Sequence, residues 1–163
     1  MTIKTKTGFV HDAVFGSTPV NEGPFPIPAP AKVTRIQFDG SVFFAPWNTG
    51  TATFTGLHTY VVAGWQWGVS GYTPLDVTNS TDRDADGRWL AYKGLARDGA
   101  GMWWAPNTAS NEVWECWPCH LEFFGNFPVA SNLDFYLSHG RQQLVAGAPG
   151  WALEGVARIT YVV

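Results

Sequence analysis

From residue 33 onward, apolar side chains recur at every second position, and no segment shows the roughly 3.6-residue period of an amphipathic helix. The clearest case closes the chain: Ala157, Ile159, Tyr161 and Val163 alternate with Val156, Arg158, Thr160 and Val162. Upstream, Thr34, Ile36 and Phe38 oppose Val33, Arg35 and Gln37. Leu133, Phe135 and Leu137 oppose Asp134, Tyr136 and Ser138. Val61, Ala63, Trp65, Trp67 and Val69 share one side of a segment over residues 59–69, with Gly64 and Gly68 on the other. Side chains that alternate in this way belong to extended strands. Further strand-like segments cover 41–45, 51–55, 89–93, 102–104, 112–117, 120–124 and 142–146. Asp39-Gly40, set between two β-rich runs, predicts a hairpin turn. Eight or nine strands punctuated by Gly, Pro and Asn predict an all-β antiparallel sandwich, in the form of a single jelly roll.

Residues 1–32 differ in kind. Pro19, Pro24, Pro26, Pro28 and Pro30 crowd the second half of this stretch and forbid helix. The expectation is an extended, proline-rich arm over 1–32 that leads into a sandwich domain over 33–163. Phe25 and Ile27 make the arm apolar enough to lie on a surface, its own or a neighbour's.

Composition narrows the function. Aromatic residues make 15% of the chain and charged residues 14%, where an ordinary domain carries about 25% charge. Net charge is −3 with ten basic residues, too few for a nucleic-acid-packaging surface. No apolar run reaches the roughly 20 residues of a membrane-spanning helix. Met1 to Gly8 carries two lysines with no apolar stretch behind them, so no secretory signal is read there. The Asn79-Ser80-Thr81 sequon has little weight without one.

Asp82, Asp84 and Asp86, followed by Gly87, match the opening of a calcium loop. Alternate carboxylates in a tight turn converge on one cation. The twelfth position is Lys93 in place of the bidentate Glu of an EF-hand. A calcium loop closed by a distant carboxylate such as Asp76 or Asp98 and a solvated acidic turn both stay open.

Cys116-Trp117-Pro118-Cys119-His120 has the spacing of haem c attachment and, around its proline, of a thioredoxin motif. Both readings lack their context, because strand-like residues lie on either side. Pro118 is expected to make a turn or bulge between two small thiols. His11, His58 and His139 show no zinc-motif spacing. No nucleophile or phosphate-loop motif occurs. The glutamates beyond residue 22 are Glu112, Glu115, Glu122 and Glu154, all explicable as surface polar positions. No catalysis is expected.

The proline-punctuated arm (Pro19 to Pro30), the all-β body and the strongly β C-terminal strand (Val156 to Val163) together resemble the single jelly-roll capsid proteins of icosahedral viruses, tailless DNA bacteriophages among them. The resemblance implies subunits that self-associate, arms that reach over neighbours, no catalytic residues, and a virion protein made in a host cytoplasm. The missing basic arm departs from capsids that bind their genome directly. It fits a subunit separated from the genome by a membrane or another protein layer.

Low charge and high aromatic content favour large permanent interfaces. Trp65 and Trp67 are expected in the core. Trp103, Trp104, Trp117 and Trp151 are expected at strand ends or beside turns, and with Phe25 and Ile27 of the arm they are expected to face copies of the same chain or other virion proteins. The alternative is a carbohydrate- or receptor-binding sandwich, in which exposed aromatics hold a glycan.

Overall fold

The computed structural model describes residues 1–14, 19–44, 59–77, 88–97, 115–142 and 151–163. Eight strands run through them: β1 (Ile3–Val14), β2 (Val20–Ile27), β3 (Ala31–Phe44), β4 (Thr59–Val69), β5 (Trp89–Arg97), β6 (Glu115–Val129), β7 (Leu133–Gln142) and β8 (Trp151–Val162). They make two four-stranded sheets, ordered β1-β8-β3-β6 and β2-β7-β4-β5. Every pairing is antiparallel. The pairing is nested: the first strand lies beside the eighth, the second beside the seventh, the third beside the sixth and the fourth beside the fifth. The chain is thus an all-β sandwich of two antiparallel sheets.

The inner faces meet in one apolar core. Ile36, Phe38 and Val42 of β3 and Leu153, Ala157 and Ile159 of β8 pack against Trp65 of β4 and Phe135 and Leu137 of β7. The alternation of β8 is reproduced, with Trp151, Leu153, Ala157, Ile159 and Tyr161 buried. Trp65 is fully enclosed, and Trp67 packs on the core with its ring 5.0 Å from that of Phe127. Ile36 and Phe38 face inward as their period requires. Val33 is buried as well, because a register shift between Val33 and Arg35 resets the alternation at Thr34.

Asp39-Gly40 does not turn. β3 passes straight through it, with Asp39 opposite His120 and Gly40 opposite both Cys119 and Gly155. The glycine serves close approach. A Cβ on Gly40 would lie 2.0 Å from the Glu154 carbonyl oxygen, and one on Gly155 would lie 2.4 Å from the Asp39 carbonyl oxygen. Two facing glycines let β3 and β8 pass with the Phe38 ring set over both.

Cys116 to His120 does not turn either. It lies within β6, and Pro118 pairs in register with Ser41. β6 is an edge strand of its sheet, where a residue lacking an N–H is tolerated. Three residues of strand separate the two cysteine α-carbons by roughly 10 Å, beyond the roughly 7 Å limit for a disulfide. Cys119 is buried in the core.

The stretch expected to be an extended arm, residues 1–32, holds two strands. Its first half is β1, paired along twelve residues with β8, and its second half is β2, paired with β7. Each supplies an edge strand to one sheet. Edge strands tolerate proline, and the register of β2 shifts where Gly23-Pro24 interrupts it.

The outer face of β4 and β7 is covered by the segment after β4. Gln66, fully buried, holds that segment down. Its carbonyl oxygen accepts from the Tyr72 hydroxyl (2.5 Å) and the Leu75 amide (2.9 Å). Its amide donates to the Leu75 carbonyl (3.0 Å) and the Ser138 hydroxyl (2.6 Å). Asp134 accepts from the Gly71 amide at 2.9 Å and from the Ser70 hydroxyl at 3.3 Å. β4 from Val62 to Gly68 and β7 from Leu133 to Gly140 are therefore covered on both faces, whereas the outer face of the β1-β8-β3-β6 sheet stays open among the described residues.

Candidate functional site

Two groups of polar side chains stand out, one between the sheets and one on the open face.

The interior group draws a residue from each of four strands. His139 of β7 is fully buried. Trp151 of β8 donates its indole N–H to Nδ1 of His139 at 2.9 Å, and Nε2 of His139 lies 3.1 Å from Glu22 of β2. Asp12 of β1 completes a set whose ligand-type atoms all fall within 4.8 Å of one another. One imidazole and two carboxylates are suitable metal donors. The hydrogen bonding says otherwise. An indole N–H can only donate, so Nδ1 is the acceptor and Nε2 carries the hydrogen that Glu22 accepts. A metal at Nε2 would need that hydrogen removed while Nδ1 keeps its lone pair. The group is a donor chain, Trp151 to His139 to Glu22, that ties both sheets together at one end.

The outer group is a ladder of charge along β3, β6 and β8. His120 stands between two carboxylates, Nδ1 bonded to Asp39 and Nε2 3.1 Å from Glu122. Arg35 reaches Glu122 at 2.5 Å and lays its guanidinium over the Phe124 ring, 4.9 Å from the centroid. Gln37 donates to Asp39 at 2.7 Å, and Arg158 lies 3.8 Å from the same carboxylate. The hydrogen bond to Asp39, helped by that to Glu122, raises the pKa of His120. The hydrogen bond from His120 lowers that of Asp39 against an opposing desolvation. For Glu122 desolvation pushes upward, but the hydrogen bonds from His120 and Arg35 prevail and lower it. An imidazolium held by two carboxylates is an ion-pair bridge, here between Asp39 and Glu122.

Next to this ladder the same face has a shallow open trough of about 420 Å³, lined by Phe9, Val10 and His11 of β1, Ser41 of β3, and Glu154, Gly155 and Val156 of β8. Phe9 is 84% exposed, and His11 pairs with Glu154 at 2.6 Å.

The residues expected at an interface are dispersed. Trp151 and Ile27 are fully buried: both sit on the inner faces of their strands, Trp151 on His139 and Ile27 in the core. Phe25 is half-buried, edge-on to Trp65 and against Gly8. Trp117 lies in β6 opposite Val42, with its side chain outside the described residues. Trp103 and Trp104 lie outside them, as do Asp82, Asp84 and Asp86 of the acidic turn. Sequence reasoning missed His139, Glu22 and Asp12, which lie far apart in the chain and follow no motif. It also missed Phe9, which is exposed on the outer face of the edge strand β1.

No known protein family and no curated protein sequence matches the chain. Among solved structures it is similar to that of infectious bursal disease virus Gx strain, at 14% identity and a TM-score of 0.38 over 97% of this chain. The Gt strain of the same virus gives 10% identity and a TM-score of 0.39, again over 97% of this chain. The VP2 subviral particle of that virus gives 10% and 0.29, also over 97%. These neighbours are particle proteins of a virus. The chain spans about a third of their length: 32% for the first and last, 33% for the Gt strain. Likeness at this level does not transfer a role, and function is read from the chain itself.

Proposed function

We propose that this chain is a structural virion protein, a capsid-type subunit that self-assembles and has no catalytic role, and that its sandwich is a single jelly roll. The observation that carries the reading is the nested strand order, β1-β8-β3-β6 over β2-β7-β4-β5. Such a pairing is a long hairpin folded across two sheets, the arrangement expected of jelly rolls, an architecture common in viral shells and lectin-like modules. Fold alone does not fix a role. Composition supports the assembly choice, since low charge and abundant aromatics suit permanent interfaces. Phe124 (67% exposed) and Val69 (61% exposed) are apolar side chains left open on the described surface. Together with Trp103, Trp104 and Trp117 they are the proposed contacts to other copies and to other virion proteins. A calcium ion at Asp82, Asp84 and Asp86 is a proposed accessory to such contacts. Virion localisation follows from the same reading. Among the described residues no helix is long and apolar enough to cross a membrane.

Light scattering of the purified chain over a concentration series tests the proposal. Growth of mass with concentration, reduced by Phe124→Asp, is the expected result. A strict monomer at all concentrations, able to bind a glycan array, would establish the host-attachment module instead.

A further inference from the structure

We propose that the trough on the open face of the β1-β8-β3-β6 sheet binds a neutral pyranose ring, with Phe9 as its stacking platform. The inference does not rest on the assembly reading. Its basis is the mixture of groups at one place. Phe9 and Val156 are register partners on β1 and β8, and they form an apolar wall and floor. One step along the same strands, His11 and Glu154 are partners, and Ser41 of β3 faces Glu154 from the other side. An aromatic face, a carboxylate, an imidazole and a hydroxyl thus line one shallow hollow.

A sugar ring has the matching chemistry. One face presents C–H groups that pack on an aromatic ring, and its edge presents hydroxyls that donate to a carboxylate and accept from an imidazole or hydroxyl. Phe9, at 84% exposure, leaves the outer side of its ring open among the described residues. Glu154 uses Oε1 toward His11, which orients the carboxylate without enclosing it. The trough is wide and open, which suits a terminal sugar held weakly, with a dissociation constant on the order of 1 mM.

The charge around the hollow selects among sugars. No lysine or arginine lines it, whereas Glu154 does, and Asp39 lies beside Val156 in register. Asp39 is already engaged by His120, Gln37 and Arg158. An acidic sugar would place its carboxylate against Glu154, with no lysine or arginine among the lining residues to receive it. A neutral hexose meets no such penalty. Purely apolar ligands would strip water from His11, Glu154 and Ser41 without replacing it.

The test is saturation-transfer NMR on the full chain with the methyl glycosides of galactose, glucose and mannose, and with sialyllactose. Expected is transfer to one face of at least one neutral methyl glycoside, affinity about tenfold weaker in Phe9→Ala, and no transfer to the sialic acid ring. Glu154→Gln, which keeps the shape and drops the charge, should admit the sialic acid ring. No transfer to any neutral glycoside, or transfer indifferent to Phe9→Ala, overturns the proposal. Loss of self-association in Phe9→Ala with no glycoside binding in the parent chain also overturns it. That result assigns the trough to a contact between copies and leaves the assembly reading standing.

Discussion

Trp151 donates its indole N–H to Nδ1 of His139 across 2.9 Å, and both residues are fully buried. The bond joins β8 of one sheet to β7 of the other and fixes which ring nitrogen of His139 faces Glu22. Trp65 offers a contrast: it is equally buried, yet its indole N–H has no partner among the described residues. Trp151→Phe should therefore cost about 1–3 kcal/mol beyond the lost ring volume, because Nδ1 is stranded. Trp65→Phe should cost only the volume, since it deletes a donor that is already unpaired. Urea unfolding of the two variants checks this; equal losses would contradict it.

Gly40 and Gly155 lie opposite each other, and a methyl group on either would run into the partner strand's backbone. Backbone cannot swing aside as a side chain can. Gly40→Ala should destabilise by about 2 kcal/mol or more. Gly71→Ala, at a positive φ but with open space around it, should cost about 1 kcal/mol of conformational strain alone. Thermal melting of both variants compares a steric cost with a conformational one.

The ladder at His120 predicts a pH dependence. The pKa of His120 is raised above 6.5 by Asp39 and Glu122, so its contribution is present below its unfolded value and fades as pH climbs through the higher folded one. Asp39 and Glu122 are lowered from 3.8 and 4.5, so theirs is present above those values and fades as pH falls through the lower folded ones. The network stabilises most between the two limits. All three side chains keep contact with solvent, so the effect is modest and screened by salt. Replacing His120 by Asn should cost stability near ~pH 5.5 and much less near ~pH 9. A stability difference that does not change with pH would refute the assignment.

Gln66 is the peg that holds residues 70–77 against the outer face of β4 and β7. Gln66→Leu takes from the Tyr72 hydroxyl its acceptor and from the Leu75 carbonyl and the Ser138 hydroxyl a donor, while the Leu75 amide keeps the Tyr72 oxygen. The expected loss is about 2–3 kcal/mol, with new proteolytic cleavage confined to 70–77 before global unfolding. Limited proteolysis followed by mass mapping reads this out.

Much of the fold was legible in the sequence because burial on one face of a strand imposes a period of two. Alternation along 59–69 and 156–163 announced β4 and much of β8, set Trp65 in the core, and put Ile36 with Phe38 and Ala157 with Ile159 on common faces. Local punctuation was a poorer guide. Asp39-Gly40 and Cys116 to Cys119 have turn chemistry, but strand pairing on both sides of β3 outweighs a local preference for turning. The proline-rich start read as an arm because nothing local reveals that its two halves pair with β8 and β7.

The sequence by itself determined the class: strands, an aromatic core, little charge and no helix period. Tertiary structure alone decided which strand lies beside which, and with that every site discussed above. His139 meets Trp151, Glu22 and Asp12 because β7, β8, β2 and β1 come together at one end of the sandwich. Trp151 moved from expected rim to interior, and Phe9 became the exposed ring. A side chain's face follows from period, which is local; its partners follow from register and sheet order, which are set by burying the whole core at once.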